Sequence, residues 1–354
     1  SSAPAPAPAP APYSTTPVTI NTGAQWTLIG SDIIGISTGE RFGSDNVDLN
    51  ADGTILIAGA HKHQGSVGRV VVLKYNGSSW IQLGQTIYGN TTGEYWGVWN
   101  SINTTGNIIA IGAHEAGGST RGRVTMYQYN ETTSTWQQLG QSLIGETGDG
   151  LSGYGISLSQ DGLNVVVGEI NRNRFSVYKY NGSIWQQSGS DIIGSTGNAI
   201  GQSVDINFDG TTVVSGTNEA TIKIYKLVGS TWTILGNTIN TGGGNFNRVA
   251  ISYDGYTVVA GDAGSGTSRV RVYSYINSNW IQIGQDITKS AFFGYQVRIN
   301  FDGSIIAATG FSIQQCFAYQ YNGSSWIQIA QTIMGMGDSL ALSRDGTTMA
   351  IGAS

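Results

Sequence analysis

The pentapeptide Trp80-Ile-Gln-Leu-Gly84 recurs in related form seven times along this chain of 354 residues. Each copy is a Trp followed by a short run of polar and apolar residues, and six of the seven copies end in Gly. The copies begin, at intervals of 46 to 56 residues, at Trp26, Trp80, Trp136, Trp185, Trp232, Trp280 and Trp326. A repeat of this length made of short alternating segments is typical of one four-stranded blade of a β-propeller.

A tight turn also recurs in each unit. Asp-Gly, the strongest short-range signal for a hairpin, stands between alternating runs in six units and is replaced by Thr105-Gly106 in the second. Ile55–Ala60 and Arg69–Tyr75 are predicted to be the second and third strands of the first unit, and the Trp opens the fourth. We therefore predict an all-β fold: a seven-bladed β-propeller of four-stranded antiparallel blades over residues 18–354. Its last blade would combine residues 337–354 with residues 13–35.

The composition excludes several classes of protein. The chain has 52 Gly and only 11% charged residues, where a globular domain usually has about 25%. It has too little Ala, Glu, Lys and Leu for a helical bundle, and it lacks the strict Gly period of collagen. A net charge of −5 without any basic run predicts no nucleic-acid partner. No apolar stretch approaches the roughly 18 residues of a membrane span, and we predict none.

The first unit resembles the FG-GAP repeat, the β-propeller unit of integrin α-subunit heads. The resemblance rests on Phe42-Gly43, on the run Val47 to Gly53, on Ala58-Gly59-Ala60 and on Gly68-Arg69-Val70. It implies the propeller fold for residues 18–354, and it implies little about function because a propeller is a scaffold for many functions.

The same resemblance implies a calcium loop between the first and second strands. Two units match the first half of such a loop, with the oxygen donors that Ca²⁺ needs, at Asp48, Asn50 and Asp52 and at Asp205, Asn207 and Asp209. The later carboxylate is missing, since Leu56 and Val213 stand at the ninth position. We therefore expect structural turns, with no cofactor and with calcium disfavoured.

Motifs for catalysis are absent from the sequence. No nucleophile elbow, phosphate-binding glycine loop or paired-carboxylate motif stands out. His61 and His114 take the same place in consecutive units, where a transition-metal site is conceivable, but solvated loop histidines are favoured. We predict that the chain is not an enzyme.

Acceptor sequences for N-glycosylation recur at one place in the repeat. The six acceptors are Asn76, Asn90, Asn103, Asn130, Asn181 and Asn322. Four of them, Asn76, Asn130, Asn181 and Asn322, lie in the predicted hairpin between the third and fourth strands. Asn-Gly is also the preferred type I′ turn, but turn preference does not explain the Ser that follows in three copies. Covalent glycans on an extracellular protein are the favoured interpretation.

The six prolines all lie within the first 17 residues. The alternating Ala-Pro run from Ala3 to Pro12 cannot build a core and is expected to be extended polyproline II, so residues 1–17 are predicted to be a connector. The run resembles arabinogalactan- or extensin-like modules of plant and algal walls. That resemblance implies hydroxylated, O-glycosylated prolines at Pro4, Pro6, Pro8, Pro10 and Pro12, with a plain spacer as the alternative.

The two ends of the chain carry the functional hypothesis. The last unit ends after two strand signals, and Pro17-Val18-Thr19-Ile20 is an alternating segment that could supply a further strand. It would do so within the same chain, or it would add to a neighbouring copy with Tyr13, Val18 and Ile20 at the contact. We expect a structural subunit of an extracellular glycoprotein filament, a homopolymer joined head-to-tail through residues 1–22.

A binding module is the alternative function. A lectin-like or adhesion propeller would use an exposed face, and Trp96 and Trp99 are the two Trp residues outside the repeat. The seven repeated Trp are more simply explained by packing between blades.

Overall fold

The structure is a computed structural model that describes residues 25–353, apart from 116–120, 146–154, 196, 198, 243–246, 264–267, 290–291 and 336. Antiparallel sheets are arranged in a ring, and the first strand of each sheet contacts the first strand of the next. The described residues hold two short helical turns, α1 (His63–Ser66) and a 3₁₀ turn (Ile170–Arg172), and no helix among them is long and apolar enough to cross a membrane.

The first three blades each have five strands. Blade one contains β1 (Phe42–Leu49), β2 (Ile55–Ala60), β3 (Arg69–Tyr75), β4 (Trp80–Gln82) and β5 (Ile87–Tyr88). Blade two contains β6 (Trp99–Ile102), β7 (Ile108–Ala113), β8 (Arg123–Asn130), β9 (Thr135–Gln138) and β10 (Leu143–Ile144). Blade three contains β11 (Ile156–Leu158), β12 (Asn164–Glu169), β13 (Arg174–Tyr180), β14 (Trp185–Gln187) and β15 (Ile192–Ile193).

The remaining strands follow the same order. Blade four contains β16 (Ser203–Ile206), β17 (Thr212–Gly216), β18 (Thr221–Val228), β19 (Thr231–Ile234) and β20 (Ile239–Asn240). Blade five contains β21 (Asn247–Ile251), β22 (Thr257–Asp262), β23 (Ser268–Ile276), β24 (Asn279–Gln282) and β25 (Ile287–Lys289). Blade six contains β26 (Phe293–Ile299), β27 (Ile305–Gly310), β28 (Gln315–Tyr321) and β29 (Trp326–Met334), and the final sheet pairs β30 (Ser339–Leu342) with β31 (Met349–Gly352).

The outer strand of blades one to five is interrupted. Its two short pieces, for example β4 and β5, both pair with the third strand of the blade, whereas β29 is continuous. The β-propeller and its antiparallel blades are therefore confirmed. The prediction of seven four-stranded blades is wrong, because the described residues form six complete blades, and the seventh repeat forms only the two-stranded β30–β31 sheet.

Close packing between neighbouring sheets requires glycine at one position in the second strand of a sheet. A Cβ atom on Gly59 of β2 would lie 1.9 Å from Gly97 O at the start of the next repeat. A Cβ atom on Gly352 of β31 would likewise lie 1.9 Å from Gly43 O in blade one. The β30–β31 sheet therefore packs on blade one as one blade packs on the next, and apolar clusters also join it to both of its neighbours.

Backbone hydrogen bonds close the ring at the Asp-Gly turns. Ala51 N donates to Thr104 O at 3.0 Å, and Arg344 N donates back to Ala51 O at 2.9 Å. Each of the other repeats donates one backbone hydrogen bond to the next repeat in the same way. The accepting carbonyls around the axis belong to Thr104, Gln160, Phe208, Tyr253, Phe301 and Arg344. The link between the third and fourth blades uses Asp161 N as its donor, at 3.5 Å from Phe208 O.

Candidate assembly edge and central channel

The start of the described chain lies between blade six and blade one. Gln331 Nε2 donates to Trp26 O and Trp26 N donates to Gln331 Oε1, both at 2.9 Å. On the other side, Trp80 Nε1 donates to Ile29 O at 3.1 Å. The segment from Trp26 onward therefore occupies the same ring position as the β30–β31 sheet.

The strand β31 has an open edge in the part of the chain that is described. It pairs with β30 on one side, and no described strand pairs with its other side. Every residue of the equivalent strand β2 is buried, whereas Met349, Ala350 and Ile351 of β31 are only half-buried. The sheet therefore presents a short apolar edge, which we call the β31 edge.

The structure does not describe the residues predicted to reach such an edge. Tyr13, Val18 and Ile20, and the proposed O-glycosylation sites Pro4, Pro6, Pro8, Pro10 and Pro12, all lie outside the described residues.

The N-glycosylation candidates divide into three environments. Asn76, Asn130, Asn181 and Asn322 lie at the turns between third and fourth strands, where each side-chain oxygen accepts a backbone N–H two residues on. Asn76 and Asn181 are exposed, and Asn130 and Asn322 are half-buried. Asn90 is exposed in the connection between blades one and two, at the opposite end of the blades.

Asn103 differs from the other five acceptors. It is 3% exposed, its Oδ1 accepts from Ile108 N at 2.9 Å, and its Nδ2 donates to Thr105 and Asn107. A glycan on this nitrogen would require the turn to open, so the geometry disfavours Asn103 as an acceptor.

Hydrogen bonds from different backbone N–H groups hold the candidate calcium ligands in different places. In the first set, Asn50 Oδ1 accepts from Ile55 N at 2.8 Å and Asp52 Oδ1 accepts from Thr54 N at 2.9 Å, so both hold the turn. Asp48 instead points across the blade interface, where its Oδ2 accepts from Ile102 N at 3.0 Å.

The second set repeats this arrangement. Asn207 and Asp209 accept from Thr212 N and Thr211 N in the turn, and Asp205 Oδ2 accepts from Ile251 N of the next blade at 2.9 Å. No group of three His, Cys, Asp or Glu residues able to hold a metal ion occurs among the described residues.

Asp48 and Asp205 line a central channel. The first strands of the six blades and of the final sheet surround a cavity of about 170 Å³, into which Trp99, Arg248 and Arg298 also project. Burial raises the pKa of Asp48 to about 6, against the opposing attraction of Arg298. Burial likewise raises the pKa of Asp205, and it lowers the pKa of Arg248, which Arg298 lowers further.

The opposite end of the blades carries buried ion pairs that motif reading missed. Glu40 accepts from Arg69 Nε at 3.0 Å and Nη2 at 2.8 Å, and it also contacts His63 Nδ1 at 2.8 Å. Glu94 pairs with Arg123 in the next blade. Both pairs span 29 residues, and this shared spacing is the signal that could have revealed them.

The histidines at that end are partnered within the fold. His61 Nδ1 lies 2.7 Å from Asp45 Oδ2 and is buried. His114 stacks on Tyr95 with ring centroids 4.8 Å apart, and burial lowers the pKa of its imidazole.

The repeated Trp residues join neighbouring blades. Trp136 Nε1 donates to Leu83 O at 2.8 Å, and the same bond forms from Trp80, Trp185, Trp232, Trp280 and Trp326. This confirms their role in packing. Trp96, expected to be exposed, is 1% exposed and packs in the core between blades one and two. Trp99 lines the channel.

Comparison with known proteins identifies the fold alone. No protein-family model matches the chain, and no curated protein matches it. Among solved structures, a candidate 6-phosphogluconolactonase from Bacteroides uniformis is similar at a TM-score of 0.63 and 11% identity, covering 87% of this chain and 88% of that one. The periplasmic gluconolactonase PpgL of Pseudomonas aeruginosa has a TM-score of 0.60 and 10% identity, covering 88% of each chain.

A third similar structure is not named as a lactonase. The Cps50 (Swd1) β-propeller domain of Myceliophteria thermophila has a TM-score of 0.61 and 9% identity, covering 88% of this chain and 97% of that one. The prediction that the chain is not an enzyme is wrong as an exclusion, because similar propellers are named as lactonases. At these identities the likeness assigns no reaction to this chain.

Proposed function

We propose that this chain is a structural subunit of an extracellular glycoprotein filament, polymerised head-to-tail through its N-terminal residues. The observation that carries the proposal is the β31 edge, which has apolar side chains and one unpaired side among the described residues. An unpaired, apolar strand edge is a template for strand addition from another chain.

The donor would be residues 18–20 of a second copy. Val18-Thr19-Ile20 is an alternating β-branched segment of the kind favoured in strands. The Ala-Pro run that precedes it would span about 30 Å as polyproline II from Ala3 to Pro12, enough to extend along a neighbouring subunit.

Each copy would carry one donor and one acceptor. A contact between two different surfaces of identical subunits is heterologous, and it produces an open filament unless the rotation closes a ring. The exposed turns at Asn76 and Asn181 would then carry glycans along the outside of the fibre, and O-glycans on the prolines would surround the connector.

The proposal is tested by blocking each half of the junction in the full-length chain. Val18→Asp removes the donor and Ile351→Lys removes the acceptor, so neither variant should polymerise alone. Mixed together, they retain one intact junction between them and should stop at heterodimers, as measured by light scattering and electron microscopy. The matched control is Ile144→Lys, at a side chain that is 62% exposed on β10, and it should polymerise normally.

Intramolecular pairing is the main competing outcome. A chain carrying Thr19→Cys and Ala350→Cys should form a disulfide-linked ladder under oxidising conditions, because the two strands would come from different copies. A monomer with an internal disulfide, or polymers formed by both blocked variants, would overturn the proposal. Melting temperatures of all variants confirm that they fold.

A further inference from the structure

The central channel holds an arginine without a carboxylate partner. Among the described residues, no Asp or Glu oxygen lies within 4 Å of the Arg248 guanidinium, although Arg69, Arg174 and Arg271 each form a close ion pair with a carboxylate. Arg248 shares the cavity with two further cations, Arg298 and Arg344. Three cations lining one cavity repel one another and favour an anion between them.

An aromatic ring lies beside this arginine. The Arg248 guanidinium carbon is 5.7 Å from the centroid of the Trp99 ring and 5.7 Å from that of Tyr295. The Trp99 indole N–H is buried and has no hydrogen-bond partner among the described residues, which is unusual for a buried indole.

The carboxylates of the channel limit the charge of such a ligand. Asp48 and Asp205 line the same cavity, and their attraction to Arg298 offsets part of its charge. A doubly charged anion would be repelled by these groups, whereas hydroxyl groups could donate to their oxygens. The amides of Asn46 and Gln296 add further donors and acceptors to the lining.

We propose that the central channel binds a sugar acid: a single-ring or open-chain carbohydrate whose one carboxylate pairs with Arg248 and whose hydroxyl groups contact Asp48 and Asp205. Arginine suits this role because its planar guanidinium matches a carboxylate with two parallel hydrogen bonds. The cavity of about 170 Å³ has room for one monosaccharide unit. This site is independent of the β31 edge.

The test is calorimetric titration of the full-length chain with D-glucuronate, D-glucose and inorganic phosphate. Glucuronate should bind at least tenfold more tightly than glucose, because only glucuronate has the carboxylate, and more tightly than phosphate. Arg248→Gln should weaken glucuronate binding ten- to hundredfold, in keeping with the loss of a charged hydrogen-bonded pair, and should leave glucose binding unchanged.

The matched control is Arg41→Gln, a partly exposed arginine outside the cavity, which should bind glucuronate as the unmodified chain does. A melting curve shows whether Arg248→Gln is folded. Equal affinity for glucuronate and glucose, tighter binding of phosphate, or glucuronate binding that survives Arg248→Gln would each overturn the proposal.

Discussion

The side-chain amide of Gln331 pairs with the backbone of Trp26 through two hydrogen bonds of 2.9 Å, across 305 residues of sequence. The same pair of hydrogen bonds joins Gln85 to Trp136 and Gln285 to Trp326. Those two junctions also contain an indole hydrogen bond, whereas the indole N–H of Trp26 has no hydrogen-bond partner among the described residues. The closing junction therefore has one hydrogen bond fewer than these two internal junctions.

We predict that Gln331→Ala opens this junction selectively. Losing the pair should cost about 1 kcal/mol, roughly a fivefold rise in local opening, and amide hydrogen exchange should quicken in residues 26–30. The matched control, Gln285→Ala, removes the same pair inside the ring and should quicken exchange around Trp326 instead. Uniform changes across all blades in both variants would contradict the prediction.

The buried carboxylate of Glu40 makes the free energy of unfolding depend on pH in the acidic range. Burial alone would raise its pKa, but the Arg69 guanidinium, the Ile36 N–H and His63 hold the pKa at about 2, below the usual value of 4.5. Because the folded pKa is depressed, the stabilisation is present above pH 4.5 and is lost as the pH falls toward 2. Up to about 3 kcal/mol should disappear over that window.

Urea unfolding at pH 7, 4.5 and 2.5 measures this effect. Glu40→Gln should lose about 3–5 kcal/mol at pH 7 because it leaves Arg69 buried and unpaired, and its stability should fall less below pH 4.5. Glu131→Gln, at an exposed turn, should behave as the unmodified chain. A Glu40→Gln variant with an unchanged acid profile would show that this carboxylate is not the group responsible.

The sequence was sufficient to predict the propeller but not the number of complete blades. Each Trp repeat marks one blade interface, and the Asp-Gly turns mark the hairpins, so the architecture follows from local signals. Counting the seven repeats overestimated the number of complete blades. A repeat marks a position in the ring, but whether the blade at that position is complete depends on which strands pair there. The described part of the last repeat supplies only β30 and β31.

The spacing of the candidate calcium ligands also does not reveal where their side chains lie in the fold. Asp48, Asn50 and Asp52 alternate along the sequence as loop ligands would, but the chain turns at Asn50, so Asp48 stays on the strand and faces the channel. Arg248 and Trp99 could not be associated from sequence, because 149 residues separate them and only ring closure brings them together.

The glycine that ends six of the seven Trp pentapeptides provides a test of packing between blades. Gly84 has φ of +74°, and a Cβ atom there would lie 2.7 Å from Trp136 Cδ1. Gly84→Ala should therefore cost both backbone strain and displacement of a buried Trp, about 3 kcal/mol or more in total. Gly77→Ala is the control, since Gly77 has φ of +97° and a Cβ atom there would have no atom of the described residues within 4 Å. It should cost only about 1–2 kcal/mol.

The sixth blade offers the reverse substitution. Ala330 takes the place of Gly84 and has φ of +58°, a conformation that costs an Ala residue about 1–2 kcal/mol. Ala330→Gly should relieve that strain at an entropic cost of about 0.4–1 kcal/mol, for a net stabilisation of about 0.5–1 kcal/mol in urea unfolding. A destabilised Ala330→Gly variant would mean that contacts of the Ala methyl group outweigh the strain.

Glycan occupancy should follow the exposure of the acceptor side chains. Secreted from a eukaryotic host and mapped by mass spectrometry after enzymatic deglycosylation in heavy-oxygen water, the chain should carry glycans at Asn76 and Asn181 and none at Asn103. The reason is that Asn103 is buried and its amide nitrogen is already hydrogen-bonded. Ser78→Ala should remove the glycan at Asn76 while keeping the turn, because the backbone N–H groups of residues 78 and 79 still bond to Asn76 Oδ1. Occupancy at Asn103, or at none of the exposed acceptors, would contradict this assignment.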